Sequence, residues 1–410
     1  MSSSPTAQSH TDTEEEASSV FLKTSRLHNV LSFIQIPNLL KDSPSDFPLL
    51  PLNVLIGANG AGKSNFIEAI ALLRACAGDL EATIRKGGGV REWIHKSQPD
   101  AIASVGFEVN YRQKGLTLQH HIAFSEQAQR FLLLEENMHL VGKHEPLFYY
   151  DPQWDQAHLW VKDHTELVNR RELQNNASIL TLRRDPNIYP EITYLAEQYE
   201  KIRIYRNRSF GPESVLRNSQ RTDWSGSELL EDGSNLFLVL NKFRSYPQIK
   251  KQLLQHLQEL YEGVVDYGVD IEGVYALLYL TEGSYTIPVS RLSDGTMHYL
   301  YLLAILLNPN PGPLICIEEP ELGLHPDLHY KIGDLLVEAS KRTQLIVTTH
   351  STGIVDAMTD YPENIVVCEK RSGQTHMQRY TKEDLSDWLE EYQYSLGRVW
   401  SSGYMGGNRW

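Results

Sequence analysis

The sequence predicts an α/β fold, a mixed sheet joined to an antiparallel β lobe and a helical segment. Three observations carry that prediction. A short apolar run, Asn53–Ile56, meets a glycine-rich turn and then a helical pattern from Asn65 to Ala77. Three runs, Ile102–Val109, Leu116–Phe124 and Phe131–Leu140, read as strands separated by polar turns. Beyond Thr296, helical patterns alternate with apolar strands at Pro313–Ile317 and Gln344–Thr348, which is how a mostly parallel sheet is written.

The turn in the first of these is Gly57-Ala58-Asn59-Gly60-Ala61-Gly62-Lys63-Ser64. It has the spacing G-x-x-x-x-G-K-[ST], in which glycines let backbone N–H groups face phosphates. Lys63 would reach the β- and γ-phosphates and Ser64 would bind Mg²⁺. The helix opening at Asn65 adds its dipole to the same anion site. The candidate nucleotide-binding residues are Gly57, Asn59, Gly60, Gly62, Lys63, Ser64 and Asn65.

Taken in order, residues 1–19 are Ser/Thr/Glu-rich without an apolar core, so a disordered tail is expected. Residues 20–224 form an N-terminal lobe. Val20–Leu55 supplies strands, Lys86–Trp93 a flexible turn, and Leu147–Val161 with Ser178–Leu182 continues the antiparallel sheet. A helix over Ile192–Ile202 leads to a strand ending at Tyr205. Residues 225–267 form a helical segment, read as helical throughout Ser225–Gly263 from the spacing of Leu236, Val239, Leu240, Phe243, Leu253, Leu257 and Leu260. It is either an insertion standing off the core or a packed layer. Residues 268–370 form a C-terminal lobe, with strands at Tyr275–Leu280 and Tyr285–Val289 and helices at Thr296–Leu307 and Asp327–Arg342. Residues 371–410 are a tail.

Lys+Arg 38 against Asp+Glu 52 gives a net charge of −14, which argues against broad nucleic-acid coating while leaving room for a local basic patch. The best such cluster is Lys242, Arg244, Lys250 and Lys251, which also reads as a solvated face. Cys76, Cys316 and Cys368 are scattered in apolar company, as buried thiols in a reducing compartment. The strongest apolar run, Tyr299–Leu307, is far too short for a membrane span, so a cytoplasmic protein without a membrane partner is expected.

Leu314–Pro320 reads as a buried strand ending in Glu318 and Glu319. One acid would hold Mg²⁺, usually through water, and the next would polarise an attacking water; the alternative is that the pair caps the following helix. Glu318 stands where Asp is commoner, and its longer arm leaves direct coordination open. His350 follows a strand in Thr348-Thr349-His350-Ser351, as a structural or a phosphate-sensing residue. Ser293-Asp294-Gly295-Thr296 opens a helix and offers Ser293 and the amides near Gly295 as a second anion site, or simply as a helix cap.

The order P-loop, Leu292-Ser293-Asp294-Gly295-Thr296, Glu318-Glu319-Pro320-Glu321, Thr348-Thr349-His350-Ser351 resembles the ABC-type ATPase heads of the SMC, RecF and OLD group, and within it the RecF-like AAA_21 type. Tyr205-Arg206-Asn207-Arg208, Asp232–Leu236, Gly323–Pro326 and Leu396–Trp400 also match, so the resemblance runs from about Leu22 onward. It implies a P-loop ABC-type head using ATP and Mg²⁺, with Glu319 as catalytic base, His350 sensing the γ-phosphate, Lys63 on the phosphates, and Ser64 and Glu318 on the metal. It also implies a head-to-tail homodimer or higher homo-oligomer, in which Ser293 and Gly295 of one subunit meet the nucleotide of the other and Glu321–His325 crosses the interface. Two departures stand out: the expected Q-loop glutamine is not located, and Leu-Ser-Asp-Gly-Thr replaces the commoner Leu-Ser-Gly-Gly-Gln. Arg206, Arg208 and Arg217 are expected in salt bridges.

No heptads interrupt the head, and no D-x-D on a strand follows His350, so any nuclease is expected on another polypeptide. The leading expectation is a Mg²⁺-dependent ATPase switch in DNA repair or anti-phage defence, with double-stranded DNA as a candidate partner. The alternative is a nucleotide-gated scaffold that restrains a separate effector protein, a nuclease or toxin. A transporter ATPase fits poorly with the long region between P-loop and Leu292.

Overall fold

The computed structural model describes residues 19–36, 47–97, 101–143, 146–151, 156–161, 164–169, 176–206, 211 and 214–407. The tail expected over 1–19 lies outside the described residues except for Ser19, and Arg208 lies outside them too. No described helix is long and apolar enough to cross a membrane.

The chain opens with β1 (Leu22–Val30), β2 (Phe33–Ile36) and β3 (Phe47–Pro48), then β4 (Leu52–Ile56) and α1 (Lys63–Cys76). Next come α2 (Leu80–Lys86) and α3 (Val90–Trp93). Lys86–Trp93 is therefore not one flexible turn. Its glycines break the chain between two helices, and the buried Trp93 indole donates to the Ile84 carbonyl (3.2 Å), pinning α3.

Strands β5 (Ala103–Tyr111), β6 (Leu116–Gln127), β7 (Arg130–Leu140), β8 (Pro146–Asp151), β9 (Gln156–Val161) and β10 (His164–Asn169) follow. They form a sheet in the order β10-β9-β8-β7-β6-β5-β1-β2, with β3 on β1, and every pairing in it is antiparallel. The strand expected at Ser178–Leu182 is instead a helical turn, α4 (Ile179–Leu182). Ser178 Oγ caps it by accepting from Leu180 N (3.2 Å), and buried Glu136 accepts from Ile179 N (2.9 Å). A cap and a carboxylate at the same N-terminus outweigh the apolar pattern.

After α5 (Pro190–Glu200), β11 (Arg203–Tyr205) and β12 (Gln220–Arg221), the helical segment is shorter than expected: α6 (Leu236–Phe243) and α7 (Pro247–Leu260) only. Residues 225–235 make turns because Asn235, 1% exposed, spends its side chain on them. It accepts from Leu230 N (2.8 Å) and donates to Ser225 O (2.7 Å) and Glu228 O (2.8 Å). Leu236, Val239, Leu240, Phe243, Leu253 and Leu257 are buried in one cluster with the central sheet, so this segment is a packed layer and not a free-standing insertion. It backs a small antiparallel sheet of β12, β13 (Val264–Glu272), β14 (Tyr275–Glu282) and β15 (Tyr285–Pro288).

The rest of the chain builds the centre: α8 (Asp294–Leu306), β16 (Leu314–Glu318), α9 (Asp327–Ser340), β17 (Gln344–Thr348), α10 (Thr352–Asp356), β18 (Ile365–Arg371), β19 (Gln374–Arg379), α11 (Ser386–Glu391) and α12 (Leu396–Ser401). The stretch 371–410, read as a tail, thus contributes a strand and two helices. The central sheet has the order β11-β16-β17-β4-β18-β19, parallel except for β19. Its strands bury both faces. Leu55, Leu314, Cys316, Ile346, Val366 and Cys368 enter the core shared with the antiparallel lobe and α1. Val54, Ile56, Ile315, Ile317, Leu345, Val347 and Val367, the alternate positions, enter the core shared with α6 to α9. Buried Gln344 ties the layers, accepting from Leu22 N (2.7 Å) and donating to Leu22 O (2.8 Å) and Leu50 O (3.0 Å).

Candidate functional site

Parallel strands end together, and here β4, β17 and β16 deliver their C-terminal residues to one edge, where ligands of such sheets bind. β4 runs into the P-loop, whose curl depends on Gly57 (φ +143°), Gly60 (φ +77°) and Gly62 (φ +100°). The fit behind the loop is close. A Cβ on Gly57 would overlap the Cys368 carbonyl, and one on Gly62 would overlap Thr375 Oγ1 and lie 2.7 Å from Ser32 Oγ. Thr375 also hydrogen-bonds the Ala61 carbonyl (2.9 Å), so the β18–β19 hairpin props the loop from below. No sequence motif pointed to Thr375 or Ser32; only the fold brings them there.

Lys63 is buried, and its ammonium donates to Gly57 O (2.8 Å) and Ala58 O (3.2 Å), folded back over the loop. Burial lowers its pKa, opposed by the charges of Glu319 and Glu321. Ser64 Oγ donates to Glu318 Oε2 (3.3 Å), so a hydroxyl and a carboxylate converge from α1 and β16. Burial pushes the Glu318 carboxyl up, against the pull of Arg206 and Ser64. Arg206 itself bridges Glu68 (2.6 Å) and Glu318 (3.6 Å), the salt-bridge role expected of it. A hydroxyl and a carboxylate side by side, at a loop with open amides, make a donor set suited to Mg²⁺ on a polyphosphate.

Glu319 follows with φ +47°, a left-handed backbone uncommon for a residue with a side chain. Its N–H still donates to Thr348 O (2.9 Å), so the strand pairing holds while the side chain is turned outward. His350 Nε2 lies 3.8 Å from Glu319 Oε1. Burial first and Lys63 second lower the His350 pKa, and the two glutamates raise it, leaving it below the usual histidine value. Lys63, Ser64, Glu318, Glu319 and His350 therefore lie in one cluster. Asn59 and Gly60 are exposed at the loop tip, and Asn65 lies in the first turn of α1.

Ser293 and Gly295 are not part of that cluster of contacts. Ser293 caps α8, its Oγ accepting from Thr296 N (3.0 Å), and Gly295 sits beside Gly323 and Leu324. Arg217 is ion-paired with Asp294, as expected. In the basic cluster, Lys250 is paired to Asp266 (3.0 Å). The three cysteines are buried and unpaired with one another, and burial pushes the Cys368 thiol up to about 12.

The residue whose part the sequence reading missed is Glu321. It is buried, and Oε1 accepts from Thr349 Oγ1 (2.7 Å) and His350 N (2.8 Å). Its place three residues after Glu318 was visible, but nothing in the spacing said the side chain turns inward.

The profile of the AAA_21 family, described as "AAA domain, putative AbiEii toxin, Type IV TA system", matches residues 52–109 and 165–356. The retron Ec83 probable ATPase of Escherichia coli is 31% identical over 150 residues, 33% of this chain and 27% of that protein. The aligned part is thus about a quarter of the relative's length. Among solved structures, an Smc head bound to the C-terminal winged-helix domain of ScpA superposes with a TM-score of 0.56 at 15% identity, covering 90% of this chain and 100% of that one. An Smc head with an extended coiled coil, bound to the C-terminal domain of ScpA and derived from Pyrococcus furiosus, gives 0.55 at 14% identity, covering 91% and 99%. At such identities the likeness is one of fold: the chain has the α/β fold of an ABC-type ATPase head.

Proposed function

The chain belongs to the AAA_21 family of AAA-type ATPase domains, and on that premise we propose that it hydrolyses ATP with Mg²⁺ in a head-to-tail dimer. The observation that carries the reading is the meeting of Lys63, Ser64, Glu318, Glu319 and His350 at one edge of the sheet. The amides of Gly60–Ser64 and the Lys63 ammonium bind the phosphates, Lys63 exchanging the Gly57 and Ala58 carbonyls for phosphate oxygens. Ser64 and Glu318 would hold Mg²⁺, which when bound would supply positive charge beside the phosphates. Glu319 accepts a proton from the attacking water. His350, whose pKa is lowered by burial and by Lys63, offers a hydrogen bond toward the γ-phosphate side. Ser293 and Gly295 of a second copy complete the site from outside.

The biological output we assign is defence against phage or DNA repair; the retron relative supports the first. A second reading, a nucleotide-gated scaffold for a separate effector, draws support from the Smc head solved with a bound partner domain. The deciding experiment is steady-state ATP hydrolysis with and without double-stranded DNA. Wild type is expected to turn over, and Glu319→Gln to bind ATP while losing at least about 100-fold in kcat. Stimulation by DNA supports the DNA-linked switch. Turnover indifferent to DNA supports the scaffold, and full turnover in Glu319→Gln removes the assignment of the base.

A further inference from the structure

We propose that Glu321 is a positioning residue for this reaction: its buried carboxylate sets the backbone of His350 and ties that residue to the start of α8. The proposal rests on the ATPase reading. Glu321 is 8% exposed. Oε1 takes two hydrogen bonds, from Thr349 Oγ1 (2.7 Å) and His350 N (2.8 Å), while Oε2 has no donor among the described residues. A carboxylate buried with one oxygen unsatisfied is costly, and an apolar residue would fill the space more cheaply. What the acid supplies is a pair of bonds to the segment that carries His350.

That segment is held at other points as well: Ser351 Oγ meets His329 Nδ1 (2.8 Å) and accepts from Ile354 N (3.3 Å). Thr349, fully buried, donates its N–H to Leu55 O at the end of β4 (3.1 Å), and its hydroxyl accepts from Ser351 N (3.0 Å). Glu321 therefore closes a short circuit between the P-loop strand, the residue before His350 and His350 itself. On its other side Glu321 belongs to the loop that α8 touches. Its carbonyl accepts from Leu324 N (3.1 Å), and Leu324 is buried beside Gly295. His298 of α8 hydrogen-bonds the Leu322 backbone. The α8 start, Leu322–Leu324, Glu321 and the amide of His350 thus form one continuous run of contacts. Glu319 also approaches His350, but only through exposed side chains at 3.8 Å, which orients no backbone.

Two substitutions separate the hydrogen bond from the charge. Glu321→Ala removes the acceptor; Glu321→Gln keeps an oxygen for Thr349 and His350 and deletes the charge, putting an NH2 in place of Oε2. We expect Glu321→Ala to lower kcat about tenfold or more, with KM and affinity for a fluorescent ATP analogue within about twofold of wild type. Glu321→Gln is expected to restore kcat to within about threefold. In a His350→Ala background, Glu321→Ala should cost nothing further, because both act through one group. Should Glu321→Ala not fold, Thr349→Val removes one of the two donors to Glu321, together with the acceptor for Ser351 N, and is expected to lower kcat about threefold. A wild-type kcat in the folded alanine variant, or in Thr349→Val when it stands in, overturns the proposal, as does glutamine as poor as alanine or a loss additive with His350→Ala. A wild type that never turns over ATP fails the ATPase reading itself, and Glu321's role with it.

Discussion

Two helices of this protein begin with small residues, and their beginnings are built in opposite ways. α1 starts behind Gly62, whose left-handed backbone (φ +100°) offers no side chain as a cap, and no acid occupies its first turn. Its leading amides are left for something else. α8 starts behind Ser293, whose hydroxyl takes Thr296 N (3.0 Å), with Asp294 in the first turn paired to Arg217. One of its leading amides, that of Thr296, is already served. The difference separates a helix end that is an anion site by construction from one that needs no ligand to be stable. In the dimer proposed above, Ser293 and Gly295 therefore add contacts to phosphates that α1 has already bound.

The sharpest way to break this contrast is to place the same methyl group at both glycines. At Gly62 it meets a positive φ, Thr375 Oγ1 and Ser32 Oγ. At Gly295 the nearest atom is Gly323 O at 3.5 Å, an ordinary contact. Gly62→Ala should weaken binding of a fluorescent ATP analogue about a thousandfold, near 4 kcal/mol. Gly295→Ala should leave monomer binding unchanged and affect turnover only. Equal affinities in the two variants would remove the distinction between the helix ends.

A smaller effect tests how firmly α8 is embedded. His298, nearly buried beneath the loop, has its pKa lowered to about 4 by burial. The unfolded chain takes up the proton near pH 6.5, so this residue's contribution is complete above that value and is lost as pH falls toward 4. Between pH 8 and pH 5 the loss is about 2 kcal/mol. Urea unfolding at both values should show that much less pH sensitivity in His298→Leu than in wild type. An unchanged pH slope would mean that His298 reaches water.

Much of this was legible in the chain because spacing is geometry where a helix or strand is local. Gly57 to Ser64, the strand before Glu318 and the cap at Ser293 each act within a few residues, so their sequence determines their shape. The order of the central strands, with β17 between β4 and β16, was not legible, since it depends on pairings some 300 residues apart. Thr375 escaped for the same reason, since its partners Ala61 and Ser32 are more than 300 residues away, and Glu321, read as part of an interface loop, turns inward to Thr349 and His350 on another strand end. Where local rules competed, the stronger hydrogen bond won. Asn235 unmade a helix over 225–235, and Ser178 made one at α4.

The smallest effect asks whether Ser293 is more than a cap. Alanine there removes both the hydroxyl and the cap bond to Thr296 N, and should cost about 1 kcal/mol. Glycine removes the same hydroxyl, yet a cap glycine costs only a few tenths of a kcal/mol. If Ser293 serves only its own helix, turnover measured well below the melting temperature should match wild type in both variants. If its hydroxyl also meets the nucleotide of a second copy, the two should lose turnover equally, by a few-fold, although their stabilities differ. A turnover loss in alanine alone would trace to a loosened α8, and would return this helix end to a purely internal role.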